Sequence, residues 1–402
     1  MRGARHERED APGTPVHAGP MHGRFFVAAA ICAAIGAASS GCWSSGDRTG
    51  SAGSGGAGTA GAGGTTGTAG TTGGGGIATS AVSGLPVPPG GGVAKPSGAP
   101  GNLTVLDWAG FKAAVSWTFD DSQPSQIEHY AELQAVGVPV TFYISTGNSG
   151  EGSYDATWSQ AVADGHEIGN HSVHHCHADL TGCSFGGALA TLADEIDQAS
   201  DYITQHYPQQ GGSWTAASPF GDTGYDTTDQ TRFLVNRGVP GGMIGANDST
   251  DPFNLPIHLA AEGETAASFN SASDAARGGG KWLIFLIHTI NPTTANWYNP
   301  VAITDVTGAM GYDRSLGDVW TDSVVHVAAY WRAQKMFKGL SATASGAAMV
   351  WTWTLPAHFP PGRYLRVKVD GGTLAQGGAP LPWDEHGYYE VALDAGTLTL
   401  SP

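Results

Sequence analysis

From Gly101 onward, short apolar runs alternate with amphipathic stretches, and this alternation limits the folds open to the chain. Phe111–Phe119 and Val138–Ile144 have the composition of strands, whereas Pro124–Val136 places its apolar residues on one side of a helix. Trp282–Ile287 is apolar at every position, as expected of a parallel strand covered on both faces. The pattern predicts an α/β fold with functional groups in the loops that follow the strands.

The same criteria predict the remaining elements of a main domain over residues 101–340. They indicate helices at Tyr154–Ala163, Ser184–Tyr207 and Val319–Lys338, and strands near Ser213–Ala217 and Met243–Ala246. Near the C-terminus, period-two alternation separated by Pro/Gly turns predicts a small antiparallel β module over residues 341–402, with strands at Val350–Leu355, Leu365–Val369 and Tyr389–Leu393.

The segment before the main domain has a different composition. From Thr49 to Gly76 every residue is Gly, Ala, Ser or Thr, and a Pro-rich stretch follows. Such a chain buries too little apolar surface to offset the entropy of ordering its backbone. Residues 43–100 are therefore predicted to be a flexible linker.

Residues 1–42 have the features of an export signal. Phe25–Ala38 is an apolar run of 14 residues preceded by Arg24, which is shorter than the roughly 20 residues of a membrane span. Ser40-Gly41-Cys42 resembles a lipoprotein cleavage site, although Ser39 stands where a Leu is usual. We expect an exported protein in the cell envelope or outside the cell. Either its N-terminal segment is removed as an ordinary signal peptide, or the protein is anchored to a membrane through a lipidated Cys42.

The charge balance excludes one class of partner. The chain has 18 Lys and Arg against 35 Asp and Glu, a net charge of −17. Binding to phosphate backbones depends on neutralisation by Lys and Arg, so nucleic acid is excluded as a partner. Polyanionic glycans are disfavoured, whereas neutral ones are not.

Two cysteines remain beyond the N-terminal segment. Cys176 and Cys183 are seven residues apart and can close a short loop as a disulfide, or remain free thiols. Export favours the disulfide, because such bonds persist in oxidising compartments.

The strongest chemical signal combines two motifs. Asp120 and Asp121 directly follow a predicted strand, where two adjacent carboxylates raise each other's pKa unless a cation lies nearby. His171 and His175 are four apart, a spacing that places two imidazoles on one face of a helical turn for a shared metal. One carboxylate and two imidazoles leave coordination positions open, which is typical of catalytic metal sites.

Other histidines compete for these roles. His174 and His177 are rival candidates for metal ligands, but we interpret them as a solvated histidine cluster. We interpret His166 as a structural residue below the site. A two-His, one-carboxylate set is also the ligand set of non-haem Fe(II) oxygenases. That alternative leaves the Asp–Asp pair unexplained.

Four motifs occur together in a particular order. They are Thr118-Phe119-Asp120-Asp121, His171-Ser172-Val173-His174-His175, Ser218-Pro219-Phe220-Gly221 and Leu286-Ile287-His288. In this order the chain resembles the polysaccharide deacetylases of the NodB homology type (carbohydrate esterase family 4) over roughly residues 104–340.

The resemblance implies a distorted (β/α) barrel with its site at the strand C-termini. It implies Asp120 as the general base and Asp121, His171 and His175 as ligands of a divalent metal, typically Zn²⁺ and sometimes Co²⁺. It further implies that the backbone N–H of Phe220 stabilises the oxyanion. His288 would be the general acid, and an acidic surround would favour its protonated form.

The chain departs from the family pattern in two places. The Arg that usually orients the base is replaced by Ala217, or by Ser218 if the motif is shifted by one. Three cations could take over this role, namely Arg232, Arg237 and Lys281. The fourth motif has only weak matches, at Asp248 and Asp251.

The sequence therefore predicts an exported, metal-dependent hydrolase that removes acetyl groups from a polysaccharide, with N-deacetylation of a GlcNAc-containing glycan as the leading activity. The alternatives are O-deacetylation, as on acetylated xylan, and a silent relative that binds glycan or metal only. Residues 289–317 form a predicted loop insertion in which Trp297 and Tyr298 either stack on a sugar or pack beneath the loop. The C-terminal module is predicted to serve packing rather than glycan binding.

Overall fold

The computed structural model describes residues 78–148, 151–295 and 297–402. The predicted signal segment, Cys42 and most of the predicted linker lie outside these residues. The described part contains eight α-helices, which in chain order are α1 (Pro124–Glu128), α2 (Tyr130–Ala135), α3 (Glu151–Ala163), α4 (Leu192–His206), α5 (Asp226–Asp229), α6 (Ala266–Gly279), α7 (Ile303–Ser315) and α8 (Val324–Lys338). None of the helices in this part is both long and apolar enough to cross a lipid bilayer.

The strands of the described residues form a barrel and three smaller sheets. In chain order they are β1 (Leu103–Val105), β2 (Ala113–Asp120), β3 (Thr141–Ile144), β4 (Glu167–Asn170), β5 (Thr215–Ala217), β6 (Val235–Gly241), β7 (Ile244–Gly245), β8 (Leu255–Leu259), β9 (Lys281–Ile287), β10 (Ile290–Asn291), β11 (Val301–Ala302), β12 (Val319–Thr321), β13 (Thr343–Ser345), β14 (Ala348–Thr352), β15 (Tyr364–Val369), β16 (Thr373–Gln376), β17 (Ala379–Pro380), β18 (Trp383–Asp384), β19 (Tyr388–Ala392) and β20 (Thr397–Ser401).

Seven parallel strands close into a barrel in the order β2-β3-β4-β5-β6-β8-β9, and β9 pairs back onto β2. Strand β12 adds in parallel beside the first half of β2, and β7 lies antiparallel on β9. Because all barrel strands run the same way, the residues that follow them meet at one end. The predicted α/β fold and (β/α) barrel are thus confirmed.

Burial explains the composition of the central strands. All eight residues of β2 are buried, and so are the last six of β9, because both strands have side chains packed on each face. Around them Trp117 stacks on Phe285 at 4.2 Å between ring centroids, and Phe119 stacks on Phe142 at 5.4 Å. These rings support the strand from which Asp120 emerges.

Several predicted boundaries were wrong, each for a local reason. The helix expected over Ser184–Tyr207 begins only at Leu192, where the Thr191 side chain caps the Asp194 N–H. The helix expected over Val319–Lys338 is preceded by β12, since Val319 to Thr321 extend beside β2. The region 289–317, expected to be a loop, contains β10, β11 and α7. Strands β4, β6 and β8 and helix α6 were not predicted.

The C-terminal residues form two antiparallel sheets, β1-β15-β19-β18 and β13-β14-β20-β16-β17. Strand β1, from the start of the predicted main domain, pairs with β15 of the predicted module. Residues 78–100, the end of the predicted linker, also make contacts here, for example hydrogen bonds of 2.6 Å from the hydroxyls of Ser80 and Ser83 to Glu390. The division into domains stays a prediction.

A buried carboxyl on α7 predicts a pH-dependent stability. Asp313 accepts a hydrogen bond from Trp117 Nε1 at 3.0 Å, and burial raises its pKa to about 7. The folded state therefore binds a proton that the unfolded state has released, so the free energy of unfolding falls as pH rises from about 4 to about 7. Asp313→Asn should remove this fall, which amounts to as much as about 4 kcal/mol at 1.36 kcal/mol per pKa unit.

Urea unfolding of the wild type and of Asp313→Asn at pH 5 and pH 8 tests this prediction. The exposed Asp201, on α4, provides a matched Asp→Asn control that should leave the pH profile unchanged. Equal pH profiles for the wild type and Asp313→Asn would show that the Asp313 carboxyl does not contribute.

Candidate active site

The predicted functional side chains meet at the C-terminal ends of the barrel strands. Asp120 ends β2, His171 directly follows β4, and His288 directly follows β9. Together with Asp121 and His175 they line one cavity of about 470 Å³. The barrel thus brings together residues that are up to 168 positions apart in the sequence.

Asp121, His171 and His175 form a cluster suited to a metal ion. The Nε2 atoms of both histidines lie 3.3 Å from Asp121 Oδ1, and the three ligand atoms lie within 4.8 Å of one another. Asp121 Oδ1 is buried and has no hydrogen-bond partner. A buried carboxylate oxygen that faces two imidazole nitrogens fits a divalent cation.

The opposite nitrogens of both rings are held by the protein. His171 Nδ1 donates to the Ala217 carbonyl at 2.7 Å, and His175 Nδ1 hydrogen-bonds the Ser184 hydroxyl at 3.1 Å. Partners of this kind fix the ring orientation and the tautomer that presents Nε2. Ser184 was not predicted from the sequence, which placed it in a helix.

The histidine motif reaches this geometry without the expected helical turn. Residues 171–177 have no regular secondary structure, and Ser172 and His175 have positive φ angles of 63° and 50°. Asp121 also has a positive φ, of 75°, and the next residue continues the left-handed backbone. Non-glycine residues in this region store strain and concentrate at functional sites.

The pKa directions reflect burial and mutual charge. Burial favours the neutral form of Asp121, but the charge of the nearby His171 ring outweighs it and holds the pKa of Asp121 below its ordinary value. Burial opposes protonation of His171 too, yet the charges of Asp120 and Asp121 raise its pKa. Burial, and then the charge of His171, lowers the pKa of His175 to about 3. A neutral imidazole is the form that binds a metal.

The two rival histidines have other partners. His174 Nδ1 lies 2.9 Å from the buried carboxylate of Glu195, and its backbone N–H donates to the same group. His177 stacks on the Phe220 ring, with centroids 4.1 Å apart, and lies 3.5 Å from Asp222. Below the site, His166 accepts the Val140 N–H at 3.0 Å and is buried, which lowers its pKa to about 4.

Of the three candidate cations, Arg237 is the one that contacts Asp120. Its guanidinium donates to Asp120 Oδ2, and both side chains are buried. Arg237 lies on β6 in register with Ala217 on β5, one of the two positions where the resemblance implies an arginine. Arg232 pairs instead with Asp197, and Lys281 lies 4.0 Å from Asp248.

Tyr143 supports this ion pair and was missed by the sequence analysis. It lies on β3 in register with Asp120, and the Arg237 guanidinium lies 5.3 Å from the centre of its ring. Adding a Cβ at Gly169 would place that atom 2.4 Å from the Tyr143 ring, so only glycine fits there. The aromatic position within β3 was the only sequence signal for this role.

His288 lies opposite the two histidine ligands. Its Nε2 is 3.9 Å from Asp121 Oδ2, and its buried Nδ1 has no hydrogen-bond partner. Burial lowers the pKa of His288 and outweighs the charges of Asp120 and Asp121, which favour its protonated form as expected. Asp248 and Asp251, the weak matches to the fourth motif, are not among the residues that line the cavity.

Phe220 is presented by a tight turn after β5. Phe220 and Gly221 have consecutive positive φ angles of 56° and 67°, and a Cβ at Gly221 would lie 2.0 Å from Val239. The Phe220 side chain contacts the His175 ring at 4.4 Å between centroids. Its backbone is therefore held at the edge of the cavity, where the resemblance places the oxyanion donor.

A disulfide closes the loop between His175 and Ser184, the two residues that are joined by a side-chain hydrogen bond. Cys176 and Cys183 are bonded, as predicted, and they directly adjoin His175 and Ser184. We expect reduction of this bond, or a Cys176→Ser/Cys183→Ser variant, to weaken Zn²⁺ binding about tenfold, within the range for outer-shell partners of metal ligands.

Competition with a chromophoric chelator measures that loss, with TCEP as the reductant because it has no thiol of its own. TCEP should not lower the Zn²⁺ affinity of the double-serine variant any further, because this variant has no disulfide between these positions. Unchanged affinity after complete reduction would show that the hydrogen bonds of the loop suffice to hold His175.

These features define a parallel barrel with a cluster suited to a metal ion, and with Asp120 and His288 beside it, at the C-terminal ends of the strands. The sequence profile of the polysaccharide deacetylase family matches residues 110–237, which carry Asp120, Asp121, His171, His175 and Arg237. This segment is therefore similar to polysaccharide deacetylases, and the predicted resemblance is confirmed. No curated protein matches the chain.

Solved structures with similar folds include three deacetylases. A probable polysaccharide deacetylase from Pseudomonas aeruginosa PAO1 is 14% identical, with 57% of this chain and 94% of that chain covered and a TM-score of 0.43. A structure described as a "putative polysaccharide deacetylase" from Mycobacterium smegmatis is 15% identical, with 60% of this chain and 96% of that chain covered and a TM-score of 0.39. The peptidoglycan deacetylase PdaC from Bacillus subtilis is 17% identical, with 56% and 94% covered and a TM-score of 0.36.

Proposed function

We propose that this protein is a metal-dependent hydrolase that removes N-acetyl groups from a GlcNAc-containing polysaccharide. The observation that carries the proposal is the Asp121–His171–His175 cluster beside a buried Asp120 and His288. The orphaned Asp121 Oδ1 and the two presented Nε2 atoms fit a divalent ion such as Zn²⁺ or Co²⁺. Bound there, the ion would polarise the acetyl carbonyl and lower the pKa of water.

The chain's own residues supply the proton transfers. Asp120 Oδ2 is held by Arg237, which leaves the buried Oδ1 without a partner and able to accept a proton from the attacking water. The water oxygen then bonds to the acetyl carbon, and the Phe220 N–H stabilises the developing negative charge. His288 in its protonated form, which the charges of Asp120 and Asp121 favour against the effect of burial, donates a proton to the nitrogen as the C–N bond breaks, giving acetic acid and an amine.

Retention of a base-orienting arginine argues against a silent relative. That alternative depended on the missing third-motif arginine, and Arg237 forms the corresponding ion pair from the neighbouring strand. The same residues can cleave an acetyl ester, since the oxygen of the leaving alcohol takes up a proton from His288 as the amine nitrogen does. O-deacetylation is therefore an outcome that the substrate test distinguishes.

Acetate release tests the proposal on chitooligosaccharides, peptidoglycan and acetylated xylan. Protein loaded with Zn²⁺ or Co²⁺ is expected to release acetate most rapidly from the N-acetylated substrates. Asp120→Asn should lose this activity while it retains the metal. Metal binding without acetate release from any substrate would refute the hydrolase assignment.

We also propose that the protein is exported. The Cys176–Cys183 disulfide supports this location, because such bonds persist outside the reducing cytosol. Metabolic labelling with palmitate, with Cys42→Ser as the control, tests attachment through a lipidated Cys42. Unlabelled wild-type protein would argue for ordinary signal cleavage.

A further inference from the structure

Large apolar side chains are exposed around the mouth of the active-site cavity. In the described part of the chain eight such side chains are exposed, and Phe220, Val239, Leu259 and Tyr298 among them line this cavity, with Trp297 adjacent to Tyr298. The exposed fractions of the three aromatic residues are 46% for Phe220, 49% for Trp297 and 52% for Tyr298. A clustered apolar surface of this kind marks a ligand-binding groove rather than ordinary surface variation.

The three rings are held in place by other aromatic side chains. Phe220 stacks on His177 with an interplanar angle of 19°, and Tyr298 meets His288 edge to face at 4.9 Å between centroids. Trp297 contacts Phe185 at 6.2 Å. Rings that are fixed but half exposed lose little conformational entropy when a ligand stacks on them.

The rings also flank the reacting groups. Phe220 follows β5 and contacts the metal-ligand candidate His175, whereas Tyr298 lies between β10 and β11 and contacts the proposed acid His288. A polymer whose acetyl group reaches Asp121 would therefore place neighbouring sugars near aromatic rings on both sides. The apolar C–H faces of pyranose rings are suited to such contacts.

The charges of the cavity select against an anionic polymer. Besides histidines, the charged side chains that line it are Asp120, Asp121 and Arg237, and Arg237 is already paired with Asp120. None of the other described lysines and arginines lines the cavity, so no lysine or arginine side chain is left there to bind a carboxylate or phosphate. With a net charge of −17 the chain also repels polyanions at longer range.

We infer that the site acts on an uncharged acetylated polysaccharide, whose sugars stack on Phe220, Trp297 and Tyr298. This inference rests on the proposed deacetylase function and narrows its substrate class. Glycan strands that bear free carboxylates, as peptidoglycan does, should be poorer substrates than uncharged strands of equal length.

Binding and turnover of matched oligosaccharides test the inference. The first pair is a GlcNAc–MurNAc hexasaccharide with free carboxylates and the same hexasaccharide with those carboxylates amidated. The uncharged form should have at least a tenfold higher kcat/KM and a correspondingly lower Kd. Equal values, or preference for the charged form, would overturn the inference.

The second comparison uses variants of the rim, by which we mean the exposed aromatic side chains Phe220, Trp297 and Tyr298 at the mouth of the cavity. Trp297→Ala and Tyr298→Ala should each raise the Kd for chitohexaose about tenfold, in line with stacking on an aromatic side chain. Trp297→Tyr should recover most of the affinity. Met349→Ala removes an exposed apolar side chain on β14, away from the cavity, and should leave both Kd and activity unchanged. Rim variants with wild-type Kd would overturn the role of the rings.

Failure of the proposed function has a different signature. If the metal-loaded wild type released no acetate from any substrate, including a small synthetic acetyl ester, the hydrolase proposal would fail. The Kd values would still decide whether the rim binds uncharged glycans. Turnover of the small ester together with preference for charged strands would overturn only the substrate class.

Discussion

Arg237→Met is expected to lower acetate release at least about a hundredfold, the lower end of what a positioned acid–base residue contributes. The guanidinium of Arg237 holds one oxygen of the buried Asp120, and methionine offers similar length without charge or donors. The substitution also leaves a carboxylate buried without its partner. We therefore expect a loss of about 3–5 kcal/mol in the free energy of unfolding.

Two further variants separate catalysis from folding. The Asp120→Asn/Arg237→Met double variant removes both charges and should regain much of the lost stability while it remains inactive. Arg232→Met, which breaks the more exposed pair with Asp197, should cost no more than about 1 kcal/mol and leave activity intact. Urea unfolding and kcat/KM for chitohexaose measure the two effects.

A transfer of the arginine between strands tests its position directly. Ala217 and Arg237 are neighbours in the register of β5 and β6, so Ala217→Arg in the Arg237→Met background should restore part of the activity. Full activity of the Arg237→Met single variant, which lacks the added Ala217→Arg substitution, would mean that Asp120 needs no orienting cation.

His171→Ala is expected to abolish tight Zn²⁺ binding. The loss should exceed about a hundredfold, the upper end for outer-shell partners, because His171 supplies a ligand atom itself. Acetate release should fall with it. Zinc at about 100 times its Kd should raise the free energy of unfolding of the wild type by about 2.7 kcal/mol, and this increment should vanish in the variant.

His174→Asn provides the matched control from the same motif. His174 is bound to Glu195 rather than to the cluster, and an asparagine amide can still donate to that carboxylate. Isothermal titration calorimetry should therefore give wild-type affinity for zinc. Zinc affinity lost in His174→Asn and retained in His171→Ala would reverse the assignment of the ligands.

The approach of Asp121 to His171 was predictable from the sequence. Asp121 and His171 directly follow strands, and the C-terminal ends of parallel strands meet at one end of a barrel. Residue type and strand order then suffice to bring these groups together. The conformation of the histidine loop was not predictable in the same way, since His175 reaches the cluster through left-handed backbone and a bond to Ser184.

Sequence by itself determined the fold class of this protein and the types of side chain that meet at the strand ends. Apolar strands alternating with amphipathic helices require a layered α/β core, and two carboxylates and two imidazoles that follow the strands suit a cation. Tertiary structure alone decided which cation orients Asp120. Arg232, Arg237 and Lys281 were equal candidates in sequence, but only Arg237 lies on a strand in register with Ala217 and points across the barrel to β2. Such a choice depends on strand register and side-chain direction, which are set by the packing of the whole barrel.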